Sequence, residues 1–160
     1  MKSKIGIFRA LDVRFAHAEF AASFQEFTPV FTANISPDIK KYLEKQKVIY
    51  HDLQLVPAYF ADPLFPLLKK TDFTPWLVFN PEVVNAISSQ LQFFEIYEPY
   101  FFYSSQIADI AKKKGKPLIT ELWTSFPEHP SRYLPPYSFL VKNVLEKTDL
   151  FLLRSKRAAQ

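Results

Sequence analysis

The chain has 160 residues, of which 48% are hydrophobic and 22% charged, and this composition is typical of a globular domain rather than a disordered chain. Twenty Lys and Arg against 16 Asp and Glu give a net charge of +4 that is spread over both halves, which disfavours a nucleic-acid-binding protein. The absence of cysteine excludes disulfides, thiolate metal sites and a catalytic cysteine. No stretch resembles a signal peptide or a membrane span, so a soluble cytoplasmic protein is predicted.

The first fifty residues alternate between apolar strands and helices. Phe20, Phe24 and Phe27 recur at helical spacing and predict one helix packed on a sheet. Ser36 and Pro37 have the residue types of an N-cap and a first helical position, and they predict the start of a second helix. The predicted elements are strands over 4–8, 29–32 and 48–50, and helices over 15–27 and 37–44.

The middle of the chain begins with a stretch that prolines interrupt. Residues 52–80 are therefore predicted to be a loop with one or two helical turns. Asn80 and Pro81 predict the start of a helix that runs to about residue 92. A strand follows over 93–97, and the next helix is predicted to end in three lysines with Gly115 at the C′ position.

The last third continues the same alternation. The predicted elements are a strand over 117–122, a loop over 123–136, a helix over 137–147 and a strand over 149–153. Six strands alternating with helices predict an α/β fold, a Rossmann-like, doubly wound and mainly parallel sheet with helices on both faces, forming one domain over residues 1–160. Ser155 has the residue type of an N-cap, and we expect these residues to be the front part of a longer protein.

Ligands of an open doubly wound sheet bind outside the carboxyl ends of the strands, at the switch between the first and fourth strands. This rule selects polar and aromatic residues that follow the first, fourth and fifth predicted strands. The candidates are Arg9, Asp12, Arg14, His17, Glu98, Tyr100, Trp123, Thr124, Glu128, His129 and Arg132.

These candidates also have purely structural interpretations. Arg9 and Arg14 could pair with Asp12 and cap the first helix, and Glu98 could cap the helix that follows it. His17 could be a capping or surface residue, and His129 part of the loop structure. Trp123 fits sugar stacking and core packing equally well.

Two basic clusters stand outside this set. The first surrounds a helix C-terminus, and it is typical of a solvated helix end, with attraction to a membrane surface as the minority interpretation. The second lies in the C-terminal tail and is interpreted in the same way. The clusters consist of Lys112, Lys113, Lys114 and Lys116, and of Arg154, Lys156 and Arg157.

Several sequence motifs of enzymes are absent. There is no Gly-x-Gly-x-x-Gly and no phosphate-binding Gly-Lys-Ser/Thr, so a self-contained dinucleotide or nucleoside-triphosphate site is not expected. Three isolated histidines and no Asp-x-Asp pair predict no metal site, and no cofactor is expected. The lack of a Gly-x-Ser-x-Gly elbow disfavours a hydrolase.

Four segments of the second half resemble the N-terminal domain of the retaining family-4 glycosyltransferases. Residues 93–100 resemble that family's fourth strand, which often reads His-x-His before Glu-Pro, with Glu95 and Tyr97 at the histidine positions here. Residues 116–123 are similar to its next strand, which ends at a Trp or His. Residues 134–137 and 149–155 resemble the last helix entry and strand.

The resemblance implies a GT-B fold of two Rossmann-like domains, in which this chain binds the acceptor and a C-terminal domain, absent here, binds the nucleotide-sugar donor. It implies transfer of a sugar to a hydroxyl of a sugar or lipid-linked acceptor with retained configuration, and an inactive chain when these residues stand alone. It assigns no nucleophile or general base, and it allows peripheral contact with the inner face of the membrane. The implied acceptor-binding residues are Glu98, Tyr100, Trp123, Thr124 and His17, with Arg9 and Arg14 facing the donor phosphates.

A second class of function is a non-enzymatic Rossmann-like module that docks a partner chain or a membrane surface. The high aromatic content, with Tyr100, Phe101 and Tyr137 predicted to be exposed, suits a hydrophobic partner face. A flavodoxin-type nucleotide-binding domain is a third option, which the missing phosphate-binding loop disfavours.

Overall fold

The structure is a computed structural model that describes residues 2–9, 13–58, 77–122, 135 and 137–153. The strands in this part of the chain are β1 (Lys4–Arg9), β2 (Thr28–Ala33), β3 (Ile49–Asp52), β4 (Leu55–Pro57), β5 (Leu77–Phe79), β6 (Phe93–Tyr97), β7 (Leu118–Leu122) and β8 (Leu150–Leu153). The helices are α1 (Phe15–Ala22), α2 (Pro37–Lys45), α3 (Pro81–Ser88), α4 (Phe102–Lys113) and α5 (Tyr137–Leu145).

Six of the strands form one sheet in the order β3-β2-β1-β6-β7-β8, and every neighbouring pair is parallel. The short apolar runs of these strands suit a sheet that is covered on both faces. The order reverses between β1 and β6, the first and fourth strands of the sheet. This is the Rossmann-like arrangement that the sequence predicts, with its switch point between those two strands.

Helices cover both faces of the sheet. Ile7 and Phe8 are adjacent on β1, so their side chains point to opposite faces. Ile7 belongs to a core cluster with residues of α1 and α2. Phe8 belongs to a second cluster, which includes residues of α3, α4 and α5. The predicted doubly wound packing is therefore confirmed.

Three predicted helix boundaries are confirmed by their local chemistry. Asn80 is the N-cap of α3, and its side-chain oxygen accepts a hydrogen bond from the amide of Glu82 at 3.0 Å. Ser36 is the N-cap of α2, with Pro37 at the first helical position. Gly115 follows the C-cap of α4 with a φ of 61°, the left-handed conformation in which glycine is favoured.

Two helices end four or more residues before their predicted ends. Helix α1 ends at Ala22 rather than residue 27, and Phe24 and Phe27 instead extend a series of edge-on ring contacts from Phe20 to Phe93 on β6. Phe24 and Phe27 therefore pack as part of this series of rings, after the helix has ended, although their spacing is that of a helix. Helix α3 ends at Ser88 rather than residue 92, and hydroxyls of serines at its end bond to helix carbonyls four residues earlier.

The segment predicted to be a loop contains two strands. β4 and β5 pair antiparallel, and residues 59–76 between them lie outside the described residues. Gln106 of α4 donates to the carbonyl of Phe79 at 2.8 Å and accepts from its amide at 3.0 Å. This side chain therefore holds β5 against α4 as a neighbouring strand would.

Candidate functional site at the carboxyl end of the sheet

The carboxyl ends of β1, β6 and β7 meet at the switch point. The register places Ile7 beside Glu95 and Glu95 beside Ile119, so the residues two positions further along lie on the same face. Those residues are Arg9, Tyr97 and Glu121. Together with Glu95, they bring one cation, one phenol and two carboxylates to the carboxyl end of three adjacent strands.

A buried ion cluster forms the floor of this end. Arg9 Nη1 lies 2.6 Å from Glu95 Oε2, and Arg9 Nη2 lies 3.0 Å from Glu95 Oε1 and 2.7 Å from Glu121 Oε2. Arg9 Nη1 also donates to the carbonyl of Phe8 at 2.9 Å. The three charged side chains are at most 1% exposed. We call Arg9, Glu95 and Glu121 the buried triad.

The surroundings of Arg9 hold it in its charged form. Burial by itself lowers the pKa of Arg9, but the charge of Glu95 and the hydrogen bonds to it raise that pKa above its usual value. The guanidinium carbon also lies 5.9 Å from the ring centre of Phe20 and 5.4 Å from that of Tyr97. Arg9 Nε is buried and has no hydrogen-bond partner among the described residues. Contact between Arg9 and a donor phosphate stays a prediction.

Glu98 stands directly after β6 in an unusual backbone conformation. Its φ is 56°, in the left-handed region, and it is only 2% exposed. Its amide donates to the carbonyl of Glu121 at 2.9 Å, which ties this turn to the buried triad. The N-cap of α4 is Phe101. Glu98 is therefore not the N-cap of the helix that follows it, which was the structural alternative to a site role.

The ring of His17 packs against that of Tyr97. Its Nδ1 accepts a hydrogen bond from the amide of Arg14 at 3.1 Å, so the ring makes the capping contact that the structural interpretation describes. The ring centres of His17 and Tyr97 are 5.5 Å apart, and His17 is 7% exposed. Arg14 is an exposed residue at the N-cap of α1.

Two half-buried tyrosines flank Glu98. Burial, followed by the charge of Glu98, raises the pKa of Tyr97 to about 12. The ring of Tyr100 packs against that of Phe101 with centres 4.5 Å apart. Tyr100, Phe101 and Tyr137 are half-buried and not fully exposed, so the prediction that they form an exposed aromatic face was wrong.

The remaining predicted site residues lie outside the described residues. They are Asp12, Trp123, Thr124, Glu128, His129 and Arg132, together with the tail cluster Arg154, Lys156 and Arg157. The acceptor-binding roles of Trp123 and Thr124 remain predictions. The sequence analysis did not identify Glu121 as part of the site. A carboxylate in an otherwise apolar strand could have indicated it, because Glu is rarely buried unless it is paired.

Tyr97 and Tyr103 should keep their protons at a pH where exposed tyrosines ionise. Burial raises the pKa of both above that of the unfolded chain, so they contribute stability below about pH 10 that is lost as the pH rises towards their folded values. The ultraviolet absorbance of tyrosinate during an alkaline titration measures this. Tyr97→Phe and Tyr103→Phe should each remove one late-titrating group, and titration curves identical to the wild type would contradict the prediction.

A small cavity of about 230 Å³ lies at the opposite end of the strands, beside the amino ends of β7 and β8. Lys112, Lys116 and Lys147 line it together with Glu146 and Asp149, so its charges are mixed. In the part of the chain that the structure describes, no group of three or more His, Cys, Asp or Glu could hold a metal ion. Each described helix is too short or too polar to span a bilayer.

Comparisons with known proteins establish the fold and nothing finer. No family model matches the chain, and no curated protein matches it in sequence. A crystal structure of a candidate UDP-N-acetylglucosamine 2-epimerase from Listeria monocytogenes aligns over 99% of this chain with a TM-score of 0.58 and 12% identity. A protein of unknown function from Vibrio parahaemolyticus aligns over 98% of this chain and 95% of its own length, with a TM-score of 0.46 and 11% identity. The chain spans 40% of the length of the Listeria protein. The similarity supports a Rossmann-like α/β fold for this chain.

Proposed function

We propose that this chain is the acceptor-binding domain of a GT-B glycosyltransferase that acts with retention of configuration. The observation that carries the proposal is Glu98, a buried carboxylate in a left-handed conformation at the switch point of a Rossmann-like sheet. Ligands of this fold bind at that edge, and strained residues cluster at functional sites. The fold similarity to a protein named for a nucleotide-sugar reaction supports a sugar ligand.

The chemistry of the site suits a neutral, hydroxyl-rich ligand. Glu98 accepts a hydrogen bond from a sugar hydroxyl that approaches between Tyr97 and Tyr100, whose half-buried rings offer apolar surface to the sugar ring. His17 lies against the ring of Tyr97. In the proposed enzyme Trp123 and Thr124 complete the acceptor side.

The donor side of the proposal involves a second domain. The nucleotide sugar binds there, and its phosphates lie on the side of the exposed Arg14 and of Arg9, which Glu95 and Glu121 hold beneath the surface. The bond between the sugar and the diphosphate breaks while a bond to the acceptor hydroxyl forms, and the hydroxyl proton is released. No residue of this chain is assigned as nucleophile or base, so we expect these residues alone to be inactive in transfer.

The proposal is tested by removing the charge of Glu98. Glu98→Gln keeps the shape of the side chain, and we expect it to weaken binding of a neutral monosaccharide by about tenfold or more, because hydrogen bonds to charged groups are the stronger ones. Binding is measured by NMR titration with glucose, galactose, mannose and N-acetylglucosamine. Glu82→Gln, which removes an exposed carboxylate on α3, is the control.

Two outcomes would contradict the proposal. One is that none of the four sugars binds the wild-type protein. The other is that Glu98→Gln binds them as tightly as Glu82→Gln does. In either case the carboxyl end of the sheet is not the acceptor site.

The competing function, a docking module, is favoured by a different observation. Phe139 of α5 is 67% exposed, and Leu150, Phe151 and Leu153 of the edge strand β8 are 52%, 39% and 46% exposed. Such a module would bind its partner through this apolar edge. Leu150→Glu would then abolish partner binding, whereas Glu98→Gln would leave it unchanged.

A further inference from the structure

We propose that Ser104 and Tyr103 of α4 are positioning residues that hold Glu98 in its left-handed conformation and thereby aim its carboxylate at the ligand. This inference rests on the proposed function, in which Glu98 contacts the acceptor. It adds two residues that neither the spacing of the sequence nor the switch-point rule selects.

Both side chains direct their hydroxyls at the backbone of the turn. Ser104 Oγ donates to the carbonyl of Glu98 at 2.7 Å and lies 3.2 Å from that of Tyr97. Tyr103 Oη donates to the carbonyl of Tyr97 at 2.7 Å. Together with the hydrogen bond from the Glu98 amide to Glu121, these contacts fix the peptide groups on both sides of Glu98.

The conformation of Glu98 needs such support. A left-handed backbone is unfavourable for a residue with a Cβ, and it persists where surrounding contacts over-determine it. Lys47, which has a φ of 57°, differs because it is exposed just beyond the C-cap of α2, where this conformation is common. Glu98 follows a strand and precedes Pro99, so no helix terminus accounts for its φ.

The first turn of α4 supplies both hydroxyls. Ser104 is fully buried and Tyr103 is 1% exposed, and both lie in the first turn of α4. Phe101, the N-cap, makes no side-chain capping bond. The helix thus uses its polar side chains to fix residues 97 and 98 rather than to cap itself.

The experiment compares Ser104→Ala and Tyr103→Phe with a control from the same helix. Gln106→Ala removes side-chain hydrogen bonds to the backbone of Phe79 on β5 and leaves the hydrogen bonds to residues 97 and 98 in place. Ser104→Thr restores the hydroxyl. Because Tyr103→Phe removes only a hydroxyl, it keeps the test usable if Ser104→Ala does not fold.

The first measurement needs no ligand. NMR chemical shifts of the Glu98 amide and Cα report its backbone conformation, and we expect Ser104→Ala and Tyr103→Phe to move them away from left-handed values. Ser104→Thr and Gln106→Ala should leave them in place. Unchanged Glu98 shifts in both Ser104→Ala and Tyr103→Phe would overturn the inference.

The second measurement is the affinity for the monosaccharide that the wild type binds most tightly. We expect Ser104→Ala to weaken binding about fivefold, Ser104→Thr to restore it and Gln106→Ala to stay within about twofold of wild type. If Glu98→Gln weakens binding and Ser104→Ala does not, the positioning inference fails while the proposed function stands. If Ser104→Ala and Gln106→Ala weaken monosaccharide binding equally, the loss of affinity reflects a general loss of stability, and the inference also fails. If Glu98→Gln has no effect, the proposed function itself fails.

Discussion

Replacing Arg9 with methionine should lower the free energy of unfolding by about 3–5 kcal/mol, because it leaves buried carboxylates without their counter-charge. Arg9 donates to both Glu95 and Glu121, and all three side chains are at most 1% exposed. Methionine fills much of the volume of arginine, so the loss reports the charge and hydrogen bonds rather than a cavity. Urea denaturation at pH 7 measures it.

An exposed ion pair provides the control for this prediction. Lys40 and Asp52 pair across α2 and β3, with side chains 34% and 35% exposed. Lys40→Met should therefore cost far less than Arg9→Met, since solvent screens an exposed pair. Arg9→Lys, which keeps the charge but cannot bind two carboxylates in the same fork geometry, should fall between them. An Arg9→Met protein as stable as Lys40→Met would show that the buried triad contributes nothing to folding.

Gly6→Ala should destabilise the fold by about 1–3 kcal/mol through overpacking. A Cβ at Gly6 would lie 2.3 Å from Cδ1 of Leu91 and 2.8 Å from Cε2 of the Phe8 ring, closer than real Cβ contacts. Leu91 is fully buried in the cluster that also contains Phe8, so the side chain has little room to move away. Thermal and urea unfolding measure the loss.

A double-mutant cycle identifies the cause of that loss. Leu91→Ala removes the atom that a Cβ at Gly6 would meet, so the double variant should be more stable than the sum of the two single losses predicts. Gly115→Ala is the control, since its Cβ would meet nothing within 4 Å and its cost comes from a φ of +61° alone. Its loss should be the same in the wild-type protein as in the Leu91→Ala variant. Additive losses for Gly6 and Leu91 would contradict the overpacking account.

The order of the elements is predictable because its signals are local. Asn80 and Pro81 start a helix by chemistry that acts over two or three residues, and Gly115 ends one in the same way. Short apolar runs predict the strands of a parallel sheet, and the alternation with helices then leads to the doubly wound order.

The errors come from contacts between residues far apart in the chain. Phe24 and Phe27 have helical spacing, yet their rings pack towards Phe93 on another strand, and the helix ends before them. β4 and β5 lie in a proline-rich segment, and their pairing joins residues separated by 20 or more positions. Periodicity within one segment contains no information about such partners.

The position of the candidate site in the fold was predictable, but the contacts and backbone conformation of its residues were not. The switch-point rule places Arg9 and Glu98 at the same edge of the sheet, where the structure has both of them. The partners of Arg9, however, lie 86 and 112 residues away along the chain. The left-handed conformation of Glu98 arises from contacts with α4 and β7, which its residue type does not indicate.

The most direct test of a sugar site at the switch point is to map where a sugar binds on the protein. The measurement is an NMR titration of ¹⁵N-labelled protein with N-acetylglucosamine, followed through the backbone amides. We predict that the amides of Tyr97, Glu98 and Tyr100, with that of His17, shift together and saturably. Shifts confined to the cavity at the opposite end of the strands, around Lys116 and Lys147, or no saturable shift at all, would contradict a sugar site at the carboxyl end of the sheet.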